Sequence, residues 1–281
     1  RDFCLSRGLG DVYKRQNHNI DNGKAFDWGK TSADYAKYRD IYPGEFYEKI
    51  RKRGLCEAGM DVLDLGTGTG VLPRALYGSG ARFTGTDLSE NQVLEAKKLA
   101  GEQQMDIRFL ASPAEELPFA DNSFDTVTAC QCFFYFDRKR VYPEISRVLR
   151  PGGRLCVLYM AWLPEEDKIA GESEALVLQY NPDWSGKGER RHPLAFEPEA
   201  SPYFEQEHSE VFDLQVPFTR ESWNGRMKAC RGIGASLSEE RVSAFDRQHM
   251  ELLSKIAPER FTIRHYAAML VLKSTKHGSA E

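Results

Sequence analysis

The sequence predicts an α/β fold, a mostly parallel sheet wrapped by helices with a cap toward the C-terminal end, and three observations carry that expectation. Short apolar runs alternate with helix-like stretches from about Asp61 onward, the rhythm of repeated strand-helix-strand units. The runs, such as Val62-Leu63 and Leu155-Cys156-Val157-Leu158, are continuously apolar, as strands buried on both faces are. After Ala161 the rhythm breaks into a polar helix-like stretch and a long segment rich in Gly, Pro and charge.

In chain order, 61–65 reads as a strand, 72–77 as a helix, 82–86 as a strand and 91–102 as a helix. Residues 106–110 and 126–131 follow as strands, 139–149 as a helix and 154–160 as a strand. Pro151-Gly152-Gly153 stops the helix before the last of these and turns the chain. Beyond it come a helix over 165–180, an irregular stretch over 181–206, a strand over 211–218 and helices over 221–231 and 238–256. Residues 261–273 form a final, antiparallel strand. Thr219 and Ser238 suit helix N-caps, and Glu239 and Glu240 suit the N-terminal end of a helix dipole. The expected organisation is thus a core over 21–164, a cap and substrate-specificity region over 165–259 that includes an added strand, and the last core strand with a tail over 260–281. The opening RDFCLSRGLGDVYKRQ has neither an initiator Met nor an apolar stretch of signal-peptide length. Residues 1–20 are therefore read as a disordered or non-native segment and left out of the fold.

The 281 residues, 41% of them hydrophobic, suffice for a full core. No stretch approaches the apolar length of a membrane span. A net charge of −4 gives no global reason to expect a nucleic-acid partner, and Arg51-Lys52-Arg53 and Arg138-Lys139-Arg140 read as solvated faces or helix starts. The six cysteines have no metal-ligand spacing in a chain too long for a disulfide scaffold, so reduced thiols in a cytoplasm are expected. Cys130 and Cys132, at the end of an apolar run, read as buried thiols.

The run VLDLGTGTG, Val62 to Gly70, sets three alternate glycines between an apolar strand and a helix. Glycines let backbone approach a ligand closely, and the helix N-terminus offers N–H donors. A dinucleotide fingerprint would read G-x-G-x-x-G. Here the spacing Gly66-x-Gly68-x-Gly70 is one residue short, and an acid, Asp64, precedes it. A carboxylate gains nothing beside a pyrophosphate, but it suits a ligand with an amino group and a sulfonium centre. Asp87, ending the next strand, can accept hydrogen bonds from both hydroxyls of a ribose.

From these residues onward the chain resembles class I S-adenosylmethionine-dependent methyltransferases, of the type 11-like kind that includes trans-aconitate and ubiquinone methyltransferases. The resemblance runs from about Phe26 to Lys273 and implies a Rossmann-like, seven-stranded, mostly parallel sheet with helices on both faces. VLDLGTGTG resembles the first motif, implying that the backbone of Gly66, Thr67, Gly68 and Gly70 meets the methionine part of S-adenosyl-L-methionine, with Asp64 helping to hold it. TGTDLS, Thr84 to Ser89, resembles the second, implying Asp87 on the ribose with Leu88 beside it. ASPAEELPFADNSFD, Ala111 to Asp125, resembles the third, implying the adenine near Ala114 and Glu115. Where the family often has an acid before that alanine, this chain has Pro113, with Glu115 or Ser112 as substitutes. RVLRPGGRL, Arg147 to Leu155, resembles the helix-turn-strand signature after the fourth strand. TSADYAKYRDIYP resembles the N-terminal segment that lids the cofactor, matching at Tyr35, Arg39, Tyr42 and Pro43, with Asp40 in place of a proline.

Methyl transfer is an in-line displacement in which positive charge disappears, so alignment and exclusion of water dominate. Ligands of open α/β sheets sit at the carboxyl ends of strands, which here carry QCFFYF, Gln131 to Phe136, and Tyr159 to Trp162. Gln131, Phe134, Tyr135 and Trp162 are therefore pocket candidates, and Gln131 is also a cofactor candidate. Relatives of the trans-aconitate kind often carry His in a Q-x-F-H-W-F-D run, whereas this chain has Phe134 in that place. Without a base there, an acceptor already nucleophilic at neutral pH, a carboxylate or other anion, is favoured, with arginine as its clamp. Arg226 and Arg231 lead that set, since they lie with Trp223 on or just after one helix. Taken singly, Arg190, Arg191, Arg220, Arg226 and Arg231 each read as surface residues, and the histidines 192, 208, 249 and 265 as surface or core. The expectation is a methyltransferase acting on a small-molecule substrate, without metal, nucleic acid or membrane, as a monomer or homodimer. The rivals are a noncatalytic S-adenosylmethionine-binding module, an RNA or other nucleic-acid methyltransferase, which would want a basic face and an Asn-Pro-Pro-Tyr-like run, and an NAD-linked oxidoreductase.

Overall fold

A computed structural model describes Asp21, Tyr38 and residues 41–277. Residues 1–20, Tyr35 and Arg39 lie outside the described residues. The described elements, in chain order, are α1 (Gly44–Lys52), β1 (Asp61–Leu65), α2 (Val71–Leu76), β2 (Arg82–Asp87), α3 (Glu90–Glu102), β3 (Arg108–Ala111) and β4 (Phe124–Cys130). They continue with α4 (Arg138–Val148), β5 (Leu149–Trp162), α5 (Lys168–Tyr180), β6 (Phe204–Thr219), α6 (Arg220–Lys228), α7 (Glu239–Ile256) and β7 (Arg260–Ser274).

The strands form one seven-stranded sheet in the order β3-β2-β1-β4-β5-β7-β6. β1 pairs in parallel with β2 and β4, β2 with β3, and β4 with β5. The order therefore reverses at β1, whose neighbours are the strand after it and a strand much later in the chain. Such a switch point is where open α/β sheets leave a crevice at the carboxyl ends of their strands. Asp64 lies opposite Gly85 on one side and Thr128 on the other, one residue before that crevice.

Local chemistry explains where the helices begin. The side chains of Ser89, Asp137 and Asp167 accept from backbone N–H groups of the first turns of α3, α4 and α5. Thr219 and Ser222 cap α6 reciprocally, and Ser238 caps α7.

Two strands are longer than the sequence signals. Helix α4 ends at Val148 and β5 starts at once, so Pro151-Gly152-Gly153 lies inside the strand as a break in its register with β4 between Phe124 and Thr126. Gly153 permits this, because a Cβ there would sit 2.9 Å from the Arg150 carbonyl oxygen. β6 begins at Phe204, seven residues before its apolar part, since Glu205 to Ser209 are polar and largely exposed.

The chain divides into two compact units, and the boundaries differ from a linear core and cap. One holds Tyr42–Met160, His192–Phe212 and the chain from Ala267 onward; the other holds Ala161–Arg191, Asp213–Tyr266 and the described residues before 42. In the first, Leu63, Leu65, Val127, Leu155, Tyr142, Ile145 and Leu272 join one fully buried cluster on the sheet. Each such side chain contributes roughly 1.5–3 kcal/mol by leaving water. A second cluster, Val93, Ala96, Ala100 and Phe109, packs α3 on β3. Among the described residues no helix is long and apolar enough to cross a membrane.

Candidate functional site

The loop after β1 is built around its glycines. Gly66, Gly68 and Gly70 have φ of 56°, 57° and 74°, the left-handed region that costs other residues about 1–2 kcal/mol. A Cβ on Gly66 would lie 2.7 Å from Cys132 Cβ, and one on Gly70 would lie 2.7 Å from the Phe109 ring. At these two positions the space cleared by the missing side chain is filled by the protein's own neighbours, and only the backbone faces outward. Thr67 N–H donates to Thr86 O (2.9 Å) and Gly70 N–H to Thr67 O (2.9 Å), tying the loop to β2.

Two carboxylates flank it. Asp64 is buried and accepts from the Thr128 hydroxyl at 2.6 Å. Burial pushes its pKa up to about 6, against hydrogen bonds from Thr128 and Thr67 and with added repulsion from Asp87. Asp87 accepts from Gly68 N–H through Oδ2 (2.9 Å) and from Ser89 N–H through Oδ1 (2.8 Å). Desolvation raises its pKa as well, opposed by the N–H groups of Ser89, Gly68 and Leu88. Asp87 thus fixes the middle of the glycine loop, a role its sequence position does not announce.

Opposite the loop, the chain leaving β4 turns sharply at Gln131, a non-glycine residue at φ 65°. Its N–H donates to Leu158 O (2.9 Å) and its side-chain amide to the Met160 carbonyl, so the left-handed turn is held from both ends. Cys132 Sγ donates to Leu65 O at 3.1 Å. Burial and the nearby Asp64 raise its thiol pKa, which keeps it protonated. Cys130 and Cys132 are half-buried, not fully buried as expected.

Beside this turn lies a pocket of about 80 Å³, partly open to solvent. Its apolar walls include Phe133, Phe134, Leu158, Tyr159, Leu194 and Leu270. Phe134 remains 45% exposed, packing on Tyr135 at 4.2 Å and edge-on to Tyr159 at 6.3 Å between ring centres. The polar end is Arg138, Tyr142 and Glu197. Glu197 Oε2 accepts from Arg138 Nε (2.6 Å) and from the Tyr142 hydroxyl (2.9 Å). Arg138 lies over the Phe133 ring at 4.5 Å and also donates to the carbonyls of Phe133 and Phe136. None of this trio was singled out by sequence. Arg138 sits in a basic run that reads as a solvated helix start, and Glu197 lies in the irregular segment, 59 residues away. Only the fold brings them together.

Glu115 is buried and accepts from Asp137 N–H at 2.9 Å, supporting the start of α4. Ser112 donates to the carbonyls of Pro113 and Glu116, and Ala114 is buried. Trp162 belongs to the other unit, where its indole N–H donates to Glu174 Oε1 (2.7 Å) and its ring meets Trp223 edge-on at 5.6 Å. The Arg226 guanidinium lies 4.9 Å from the centre of the Trp162 ring, and Arg226 is buried, which corrects its reading as a surface residue. Arg231 pairs with the buried Asp21 at 2.8 Å and donates to Ser185 Oγ. Arg190 pairs with Glu165, Arg191 with Glu166 and Asp213, and Arg220 holds the Ala257 carbonyl. In the same unit Ser173 Oγ lies 2.9 Å from His249 Nε2, accepts from the Trp223 indole and donates to Ile169 O. With its proton on a helix carbonyl, Ser173 serves as a brace among α5, α6 and α7 and not as a nucleophile.

Comparison with known proteins agrees with this geometry. Residues 63–157 match the methyltransferase domain family. An uncharacterized methyltransferase of Mycobacterium bovis is 33% identical over 153 residues, covering 52% of this chain and 60% of that protein. The demethylmenaquinone methyltransferase of Thermus thermophilus is 34% identical over 149 residues, with the same shares of the two chains, 52% and 60%. The chain therefore spans about 60% of the length of these curated relatives. Among solved structures, the YcgJ protein of Bacillus subtilis superimposes with a TM-score of 0.50 at 21% identity, covering 84% of this chain and 100% of that one. A likeness at that identity speaks to the fold alone.

Proposed function

We propose that this chain, whose residues 63–157 match the methyltransferase domain family, transfers the methyl group of S-adenosyl-L-methionine to a small-molecule acceptor. The observation that carries the reading is the loop of left-handed glycines at the sheet's switch point, set between the carboxylates of Asp64 and Asp87.

The residues suit that cofactor. Asp64 and Asp87 place two acids, one of them fully desolvated, where a sulfonium and an amino group would be welcome. Each oxygen of Asp87 receives one backbone N–H and retains capacity to accept a ribose hydroxyl. When bound, S-adenosylmethionine supplies an electrophilic methyl group on sulfur. The glycine loop and Leu88 would hold it by backbone, and Ala114 and Glu115 would border the adenine. Gln131, Phe134 and Tyr135 would form the acceptor side, where aromatic walls keep water from the reacting centre. Residues 165–259 would supply specificity, and Leu194, Ala195 and Glu197 of that region line the pocket.

A carboxylate acceptor drew support from the lack of a base at Phe134 and from the cap arginines. The first is countered by Glu197, a carboxylate in the pocket wall that can accept from an acceptor hydroxyl. The second weakens, because Arg190, Arg191 and Arg231 are each paired with an acid. Incubating the chain with S-adenosylmethionine and a panel of small carboxylic acids and neutral hydroxylated compounds, with S-adenosylhomocysteine followed by mass spectrometry, tests the reading. Acceptor-dependent product that is lost in Asp87→Ala supports it. Tight cofactor binding with no turnover on any acceptor favours a noncatalytic module. A cytoplasmic setting and a monomer or homodimer complete the proposal.

A further inference from the structure

We infer that the pocket beside the glycine loop binds a neutral hydroxylated aromatic molecule, held through its hydroxyl by Glu197, and that it discriminates against charged analogues. This deepens the reading above, since it names the class of acceptor, yet the pocket can be tested without turnover. The pocket adjoins the loop through one residue: the Cys132 side chain lines the pocket and also stands where a Cβ of Gly66 would be.

The polar end sets the charge preference. Arg138 and Glu197 pair at 2.6 Å with side-chain exposures of 23% and 29%, so the two charges cancel inside the wall. An arriving carboxylate would find no uncompensated cation and would face Glu197. An arriving ammonium would find its carboxylate already shared with Arg138. Either charge would leave water without a counter-charge, a loss that a neutral ligand avoids. The Tyr142 proton is committed to Glu197, and burial together with that carboxylate raises the phenol's pKa, so it stays neutral. The carboxylate therefore presents acceptor capacity, and its complement is a ligand O–H. Phe134, exposed beside Tyr159, offers the flat face on which such a ring can lie.

Calorimetric titration of the full chain with 2-naphthol, 2-naphthoate and 2-naphthylmethylammonium tests this, with S-adenosylhomocysteine titrated separately as a control for the cofactor site. The expected result is saturable binding of 2-naphthol, about tenfold or more tighter than either ion. Glu197→Gln leaves Arg138 uncompensated and should shift the preference toward 2-naphthoate by at least tenfold. Tyr142→Phe keeps the charge pair and should keep the preference for the neutral ligand. A wild-type chain that binds 2-naphthoate as well as 2-naphthol, binds none of the three, or shows the same ratio after Glu197→Gln overturns the inference. If 2-naphthol preference appears while S-adenosylhomocysteine fails to bind, the pocket inference stands and the methyltransferase reading falls. The converse overturns the pocket inference alone.

Discussion

Asp64→Asn should stabilise the cofactor-free chain at neutral pH while weakening its grip on S-adenosylmethionine. Asp64 is buried, accepts from the Thr128 hydroxyl and is repelled by Asp87. Its pKa moves from 3.8 to about 6, and each tenfold change in proton affinity is worth about 1.4 kcal/mol, so keeping the carboxylate ionised costs the native state about 3 kcal/mol. The sign follows from proton counting. Between pH 4 and 6 the native chain binds more protons at this site than the unfolded chain, so this contribution to stability falls as pH rises through that window. Asparagine cannot ionise and can still accept from Thr128. The difference between variant and wild type should therefore be near zero at pH 4 and reach about 3 kcal/mol by pH 7.5, a rise in melting temperature of several degrees, at roughly 2–4 °C per kcal/mol. Urea denaturation of both proteins at pH 4, 5, 6 and 7.5, without ligand, measures it. A variant less stable than wild type at pH 7.5, or a difference that does not change with pH, refutes the reasoning.

The brace in the second unit predicts the opposite slope. Burial lowers the pKa of His249 to about 4, so the unfolded chain binds more protons below pH 6.5, and this contribution is lost as pH falls from there toward 4. In His249→Gln, denaturation midpoints should vary less with pH across that window than in wild type. Gly66→Ala must take a φ of 56° and press on Cys132 at 2.7 Å, so it should destabilise by about 2–4 kcal/mol, read as a lowered urea midpoint with unchanged slope. Arg226→Ala removes a buried guanidinium stacked on Trp162. It should lower the melting temperature and change tryptophan fluorescence without changing affinity for S-adenosylhomocysteine.

Much of the first unit is legible in the sequence, because parallel strands buried on both faces are continuous apolar runs. Asp61–Leu65 has the same limits in both, and the glycine spacing alone separates this loop from a dinucleotide turn. The departures have physical causes. The first half of β6 carries Glu205, Gln206, Glu207 and His208 in an edge strand, where polar residues face water and leave no alternation to read. The pocket is half legible. Gln131 to Phe134 follow a strand end and can be placed, but Glu197 reaches Arg138 only through the tertiary fold. Arg226 misleads because charge suggests a surface, whereas a ring stacked on its guanidinium makes burial tolerable.

The central claim is that the loop between Asp64 and Asp87 holds S-adenosylmethionine. The most direct measurement is calorimetric titration of the wild-type chain and of Asp87→Ala with S-adenosylmethionine, S-adenosylhomocysteine and NAD. The account predicts saturable binding of both adenosyl ligands, at least tenfold weaker in the variant, which loses the ribose acceptor and the anchor of Gly68, with no binding of NAD. Binding of NAD alone, or adenosyl affinity unchanged in Asp87→Ala, would contradict it.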